Sequence, residues 1–367
     1  MSAGPAVERV EVSVYTIPTD APEGDGTIAW DSSTLVLVEA TARGTTGLGW
    51  TYGPPAVAAL IEGRLAGIAT GGDATSPSRA NDRMVEAIRN DGRPGVGMEA
   101  VSAVDIALWD LKARLLDLPL TRLLGAVRDD VPVYGSGGFT TYDEARTREQ
   151  LGHWVHEQRI PRVKIKIGES WGTRVERDLA RIRLAREVIG DDTELYVDAN
   201  GAYSAKQAIR VAERAAPDRP VWFEEPVSSD DLDGLRFVRE HVAPDVAAGE
   251  YGHDPQYFRR MLAAGSVDCL QADASRCGGV TGWLRAAAVA GSFGLEISGH
   301  CVPNVHVPIA ATVPNLRHLE WFHDHVRIES MLFDGTADPT GGAARPPDGP
   351  GLGLSLRRPD AERYRVR

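Results

Sequence analysis

Residues 163–168 read Val-Lys-Ile-Lys-Ile-Gly, so that Lys164 and Lys166 alternate with Val163, Ile165 and Ile167. A period of two is that of a β-strand, which sends both ammonium groups to one face and packs the branched side chains on the other. Two like charges on a buried face repel each other and are costly to desolvate, so an anion or a metal-bound substrate is expected opposite them. Lys166 is the first candidate base. Beside a divalent cation and a second ammonium its charged form is disfavoured, leaving a share neutral near physiological pH. Lys164 is expected to stay charged and contact a substrate carboxylate.

Downstream, short apolar runs end one after another in single polar residues. Leu195-Tyr196-Val197 leads to Asp198, with Asn200 two residues on, and Val221-Trp222-Phe223 leads to Glu224. Residues 246–249 precede Glu250, Cys269-Leu270-Gln271 precedes Asp273, residues 295–299 precede His300, and Arg317-His318-Leu319 precedes Glu320. Asp198, Glu224 and Glu250 would repel if they converged without a counter-charge. Three hard oxygen donors suit Mg²⁺ with positions open to substrate and water, not the softer ligands of zinc. Asp273 can accept the Nδ1–H of His300, which fixes the tautomer and leaves Nε2 to exchange a proton with substrate, a second base. Asn200 is placed to bind a substrate hydroxyl or Lys166.

Elements that would position these residues follow from their spacing. The polar ends recur at intervals of roughly 20 to 32 residues, the length of one strand, one helix and two loops, which is the beat of a (β/α) barrel whose C-terminal strand ends carry the chemistry. Residues 131–136 open that barrel. Ahead of it, strands over 7–16 and 33–41 flank a Pro-, Gly- and Asp-rich loop at 18–31. A third strand, 47–52, stops at Gly53-Pro54-Pro55. Helices follow over 55–66, 76–90 and 98–116, the last with Val101, Val104, Leu108, Leu111 and Leu115 at amphipathic spacing. The expected organisation is an α+β cap over 1–130, a barrel over 131–330 and a tail over 331–367 that returns to the cap. No eighth long helix is expected after Glu320; residues 325–333 read as a strand.

At 367 residues and 43% apolar content the chain is long enough for a barrel plus a cap. Its net charge of −12, without a Lys/Arg-rich patch, argues against a nucleic-acid partner. No apolar run reaches membrane-spanning length and the start lacks a signal-peptide pattern, so a soluble, cytoplasmic protein with no membrane partner is expected. Cys269, Cys277 and Cys301 show no Cys-x-x-Cys spacing, and Cys269 and Cys301 read as small core residues.

The order Ser102–Lys112, residues 163–168, Asp198-Ala199-Asn200, Glu224-Glu225-Pro226, Gly249-Glu250, Asp273 with Gly278-Gly279-Val280-Thr281, Gly299-His300 and Glu320 resembles the enolase superfamily, and within it the mandelate racemase subgroup. The resemblance implies a (β/α)7β barrel with an α+β cap, Mg²⁺, and abstraction of the proton next to a carboxylate through an enediolate. It also implies that Glu320, protonated, hydrogen-bonds the substrate carboxylate, and that lid segments set specificity, here 18–31 and 52–55, which brings Tyr52 to the substrate. It further implies a homo-oligomer, from dimer to octamer. Bases on both sides of one carbon permit racemisation or epimerisation; a protonated His300 could instead expel a β-hydroxyl. The expected activity is therefore a racemase, epimerase or dehydratase of a 2-hydroxy carboxylate, with an acid sugar favoured. The alternatives are a cycloisomerase or dipeptide epimerase of the same superfamily and a catalytically silent barrel that binds.

Overall fold

The computed structural model describes residues 4–367. Three antiparallel strands begin the chain, β1 (Arg9–Gly24), β2 (Ala29–Ala42) and β3 (Thr45–Tyr52), in the order β1-β2-β3. The continuous apolar run at 35–38 is explained by burial on both faces. Leu35 and Leu37 join the barrel core, while Val36 and Val38 join a separate cap core. On the cap side lie α1 (Pro77–Ala87) and α2 (Val96–Leu115). The expected amphipathic stripe of α2 proves to be burial almost all round, because the sheet covers one side and a barrel helix the other. Gly49 permits this approach: a side chain there would run into the α2 backbone at Ala103 and Ala107.

The expected loop at 18–31 is not a loop. β1 continues to Gly24 and β2 starts at Ala29, with a register shift between Pro18 and Glu23. A proline cannot donate a ladder hydrogen bond, so its position at the irregularity is where a strand tolerates it. Only the tip turns, where Asp25 Oδ1 accepts from the Thr27 and Ile28 backbone at 2.6 and 2.9 Å.

Eight parallel strands form the barrel: β4 (Val131–Gly137), β5 (Arg162–Lys166), β6 (Glu194–Asp198), β7 (Pro220–Glu224), β8 (Asp245–Ala248), β9 (Cys269–Ala272), β10 (Glu296–Gly299) and β11 (Leu316–Phe322). They pair in sequence order, and β11 pairs with β4 to close the ring. The helices between them are α3 (Glu144–Gly152), α4 (Val175–Ile189), α5 (Ala205–Ala215), α6 (Leu232–Arg239), α7 (Pro255–Ala263), α8 (Gly279–Ser292) and α9 (Pro303–Ala310). Tyr134, Tyr196, Trp222, Ala247 and Cys269 fill the interior as one cluster.

After β11 the strand expected over 325–333 is instead a helix, α10 (His323–Leu332). Its buried residues are Asp324, His325, Ile328, Glu329 and Leu332, of which the last four fall at helical spacing. It packs beneath the cap sheet: Trp50 Nε1 donates to Glu329 Oε1 at 3.1 Å, and the Tyr52 ring stacks on His325. From there the chain pairs Ala343 and Ala344 with β4, and Leu352 N donates to Asp110 Oδ1 of α2 at 2.6 Å. Arg367 O accepts from Val14 N of β1 at 2.9 Å.

Candidate active site

Strand register alone sets Lys166 beside Asp198 and Asp198 beside Glu224. Lys166 Nζ donates to Asp198 Oδ2 at 2.5 Å. Lys164 Nζ lies 2.5 Å from Glu224 Oε1, 2.6 Å from Glu320 Oε1 and 3.5 Å from Asp198 Oδ2. All five side chains are buried. From below, Trp222 Nε1 donates to Glu224 Oε2 at 3.0 Å, the two residues sharing the inward face of β7. Ser136 Oγ, from β4, donates to Glu320 Oε1 at 2.6 Å.

Asp273 and His300 follow the ends of β9 and β10. His300 Nδ1–H donates to Asp273 Oδ2 at 2.8 Å, and Asp273 Oδ1 accepts from Ser275 N and Oγ, both at 2.7 Å. His300 Nε2 thereby points inward, 3.4 Å from Glu250 Oε2. Arg276 braces both neighbours, 3.4 Å from Glu250 Oε1 and 3.6 Å from Asp273 Oδ2.

Oxygens of Asp198, Glu224 and Glu250 lie within 4.8 Å of one another. Glu250 Oε2 is buried and has no hydrogen-bond partner among the described residues. Asp198, Glu224, Glu250, Glu320 and Asp273 together face Lys164, Lys166 and Arg276, which leaves an excess of two negative charges while His300 is neutral. Burial and the adjacent Asp198 push the Glu224 carboxyl up to about 8, the mark of a cage short of positive charge. A divalent, oxygen-preferring cation fits this donor set, and the two ammoniums stand where part of its charge would lie.

The neighbours of each buried titratable group set the direction of its shift. Burial by itself would lower the pKa of Lys166, but the Asp198 carboxylate outweighs it and holds the ammonium charged, with its pKa raised. Burial likewise favours a neutral Glu320, yet Lys164 and His300 hold it ionised, its pKa well below the ordinary value. For His300, burial is overcome by Glu250, Glu320 and Asp273, which raise its pKa.

Asn200 makes no hydrogen bond to Lys166; its half-buried side chain lines a cavity of about 780 Å³ between cap and barrel, together with Thr27, Glu99, Glu225, Tyr251 and Arg276. Tyr52 is not on that cavity but stacked on His325 at a centroid distance of 3.5 Å, in the seam between cap and barrel. Sequence reasoning missed Arg276, Ser136 and Trp222. Ser136 and Trp222 each follow from period two, lying two residues from inward-facing Tyr134 and Glu224; nothing in the spacing marks Arg276.

The fold and site define a capped (β/α) barrel enzyme with a carboxylate cage between a lysine and a histidine–aspartate pair. Residues 10–125 match the mandelate racemase / muconate lactonizing enzyme N-terminal domain, and residues 146–361 match the enolase C-terminal domain-like family. The chain belongs to the mandelate racemase / muconate lactonizing enzyme family of the enolase superfamily. A mandelate racemase/muconate lactonizing enzyme-like protein from Rubrobacter xylanophilus is 52% identical and superimposes with a TM-score of 0.95 over 99% of this chain and 100% of that one. The D-galactarolactone cycloisomerase of Agrobacterium fabrum is 32% identical over 95% of each chain. The L-talarate dehydratase from Polaromonas, solved with Mg and L-glucarate, is 28% identical with a TM-score of 0.88 over 99% of this chain and 98% of that one.

Proposed function

We propose that the protein removes the proton next to the carboxylate of a 2-hydroxy acid, an acid sugar before others, and either returns it on the opposite face or expels the β-hydroxyl. The observation that supports this is the placement of two bases, Lys166 and His300, on strands well apart in the ring, with the three-carboxylate cage between them. Asp198, Glu224 and Glu250 would hold Mg²⁺, whose fixed charge favours a substrate carboxylate as it gains negative charge. Lys164 is placed to bind that carboxylate, and Glu320, 2.6 Å from it, joins as a hydrogen-bond donor once it takes up a proton. Lys166 must leave Asp198 and give up its own proton before it takes one from the substrate. His300 Nε2 serves the other face, and Asp273 stabilises the imidazolium that forms.

A cycloisomerase acting on the lactone of an acid sugar stands as the second reading, favoured by the Agrobacterium relative. It needs proton transfer at one face only. Kinship also supports a cytoplasmic homo-oligomer, which light scattering after gel filtration tests; among the described residues no helix is long and apolar enough to cross a membrane.

The deciding experiment incubates acid sugars and their lactones with the protein and Mg²⁺ in D₂O, beside Lys166→Ala and an EDTA-treated sample. Deuterium at the α-carbon of an intact skeleton indicates racemisation or epimerisation, a 2-keto-3-deoxy product indicates dehydration, and ring opening of a lactone indicates cycloisomerisation. EDTA is expected to abolish each and Mg²⁺ to restore it. Turnover that survives exhaustive chelation would refute the metal assignment, and no reaction across the pool would refute the substrate class.

A further inference from the structure

Three donor atoms of different kinds meet on the β10–β11 side of the site. His300 Nε2 lies 3.4 Å from Cys301 Sγ and 3.5 Å from Glu320 Oε2, and Cys301 Sγ lies 3.6 Å from the same oxygen. Around tetrahedral Zn²⁺, bonds of about 2.0–2.1 Å to nitrogen, 2.3 Å to sulfur and 2.0–2.2 Å to oxygen set such donors about 3.4–3.6 Å apart.

Each donor is aimed by a separate contact. Asp273 holds the far side of the His300 ring, the carboxylate–imidazole arrangement that orients metal-bound histidines. Lys164 and Ser136 occupy Glu320 Oε1, while Oε2 accepts from Cys301 N at 3.0 Å and keeps a second lone pair beside the sulfur and the imidazole. Cys301 and Val302 adopt φ of 51° and 32°, two successive non-glycine residues in the left-handed region, a costly conformation that clusters at functional sites. A fourth oxygen stands beside the imidazole: Glu250 Oε2 lies 3.4 Å from His300 Nε2, 3% exposed and without a hydrogen-bond partner among the described residues. A carboxylate oxygen offers more than one lone pair, so Glu250 can serve a cation here as well as in the cage.

We propose that His300, Cys301 and Glu320, with Glu250 at the fourth corner, form a binding site for Zn²⁺ or a similar thiophilic divalent ion, and that its occupation blocks proton transfer at His300. Binding breaks the Cys301 S–H bond, releases that proton to solvent and forms a sulfur–metal bond, with no change of oxidation state. The oxygen-only cage selects Mg²⁺; the thiolate and imidazole select softer ions. The blocking half of the proposal rests on His300 being a base, whereas the binding half does not.

The test adds Co²⁺, a spectroscopic substitute for Zn²⁺, to the Mg²⁺-saturated protein. A thiolate-to-cobalt charge-transfer band is expected, saturating at one equivalent, displaced by Zn²⁺, absent in Cys301→Ser and retained in Cys269→Ser. Zn²⁺ affinity measured by calorimetry is expected to fall at least about 100-fold in Cys301→Ser, since losing even an outer partner of a metal ligand costs 10–100-fold. No band, or a band that survives Cys301→Ser, overturns the proposal. Should Cys301→Ser not fold, X-ray absorption of the Zn²⁺-loaded parent decides: one sulfur at about 2.3 Å supports the site, and an all-oxygen and nitrogen shell overturns it. A band accompanied by undiminished α-proton exchange at the face assigned to His300 upholds the binding site and overturns the assignment of His300 as a base.

Discussion

Asp273 touches His300 and no other candidate base, which separates its role from that of the carboxylate cage. Replacing it with asparagine keeps the shape but removes the charge that favours the imidazolium and fixes the tautomer. Proton exchange at the His300 face is expected to fall about 10²–10⁴-fold, the range of general acid–base catalysis, with Mg²⁺ affinity by calorimetry unchanged. Equal loss at the Lys166 face would refute the division of labour. A second residue gives a pH signature remote from the cage. Glu329, bound by Trp50 and Asn304, has its carboxyl pushed up to about 7 by burial. An unfolded glutamate titrates near about 4.3, so between there and about 7 the folded state alone keeps the proton. Its contribution to stability is full below the lower value and is lost as pH rises through the upper one. Glu329→Gln, which cannot ionise, should therefore gain in Tm relative to the parent between pH 5 and pH 8. A gap independent of pH would contradict the buried titration.

The elements that carry chemistry were the most legible from the sequence, and the connectors the least. A period of two in Lys164 and Lys166 and the repeated polar strand ends identify the barrel because buried apolar strands that each end in a charged residue are rare outside such a ring. The β1–β2 hairpin gave no such signal. Its extension past Pro18 depends on pairing with β2, which composition does not report, so it reads as a loop. The helix α10 was misread as a strand although His325, Ile328, Glu329 and Leu332 carry helical spacing, because three of its five buried residues, Asp324, His325 and Glu329, are polar and take partners distant in sequence. The hairpin also makes a prediction of its own. Its tip seats Gly26 on the barrel rim, where a Cβ would stand 2.7 Å from Ile167 O, 2.8 Å from Ala199 O and 3.0 Å from Gly168 O. Backbone carbonyls cannot step aside, so Gly26→Ala should lift the tip, and with it Thr27, from the cavity. Misplacement on that scale can cost about 100-fold in kcat/KM. The tip contributes little core, so the melting temperature is expected to hold; parallel loss of both would mark Gly26 as structural only.

Cap and barrel meet through buried polar contacts as well as apolar ones, and this makes the whole chain one cooperative body. Asp105 of α2 accepts from Asn81 Nδ2 of α1 at 2.9 Å, from Thr281 Oγ1 at 2.7 Å and from Thr281 N at 3.0 Å, the last two reaching α8 of the barrel. Ser102 Oγ accepts from Gly278 N at 2.8 Å on the same seam. The seam matters for function because the cap supplies Thr27 and Glu99 to a cavity whose other walls are barrel loops. Asp105→Ala leaves the Thr281 N–H and the Asn81 amide buried with fewer partners, each stranded group costing about 1–3 kcal/mol. The expected result in urea is a loss of about 2–5 kcal/mol with unfolding that no longer follows one transition: intrinsic fluorescence from Trp109 at the seam should change before the far-ultraviolet signal of the barrel. An unaltered single transition with a loss below about 1 kcal/mol would show that apolar packing alone joins the two bodies, and that the polar seam serves only to fix their register.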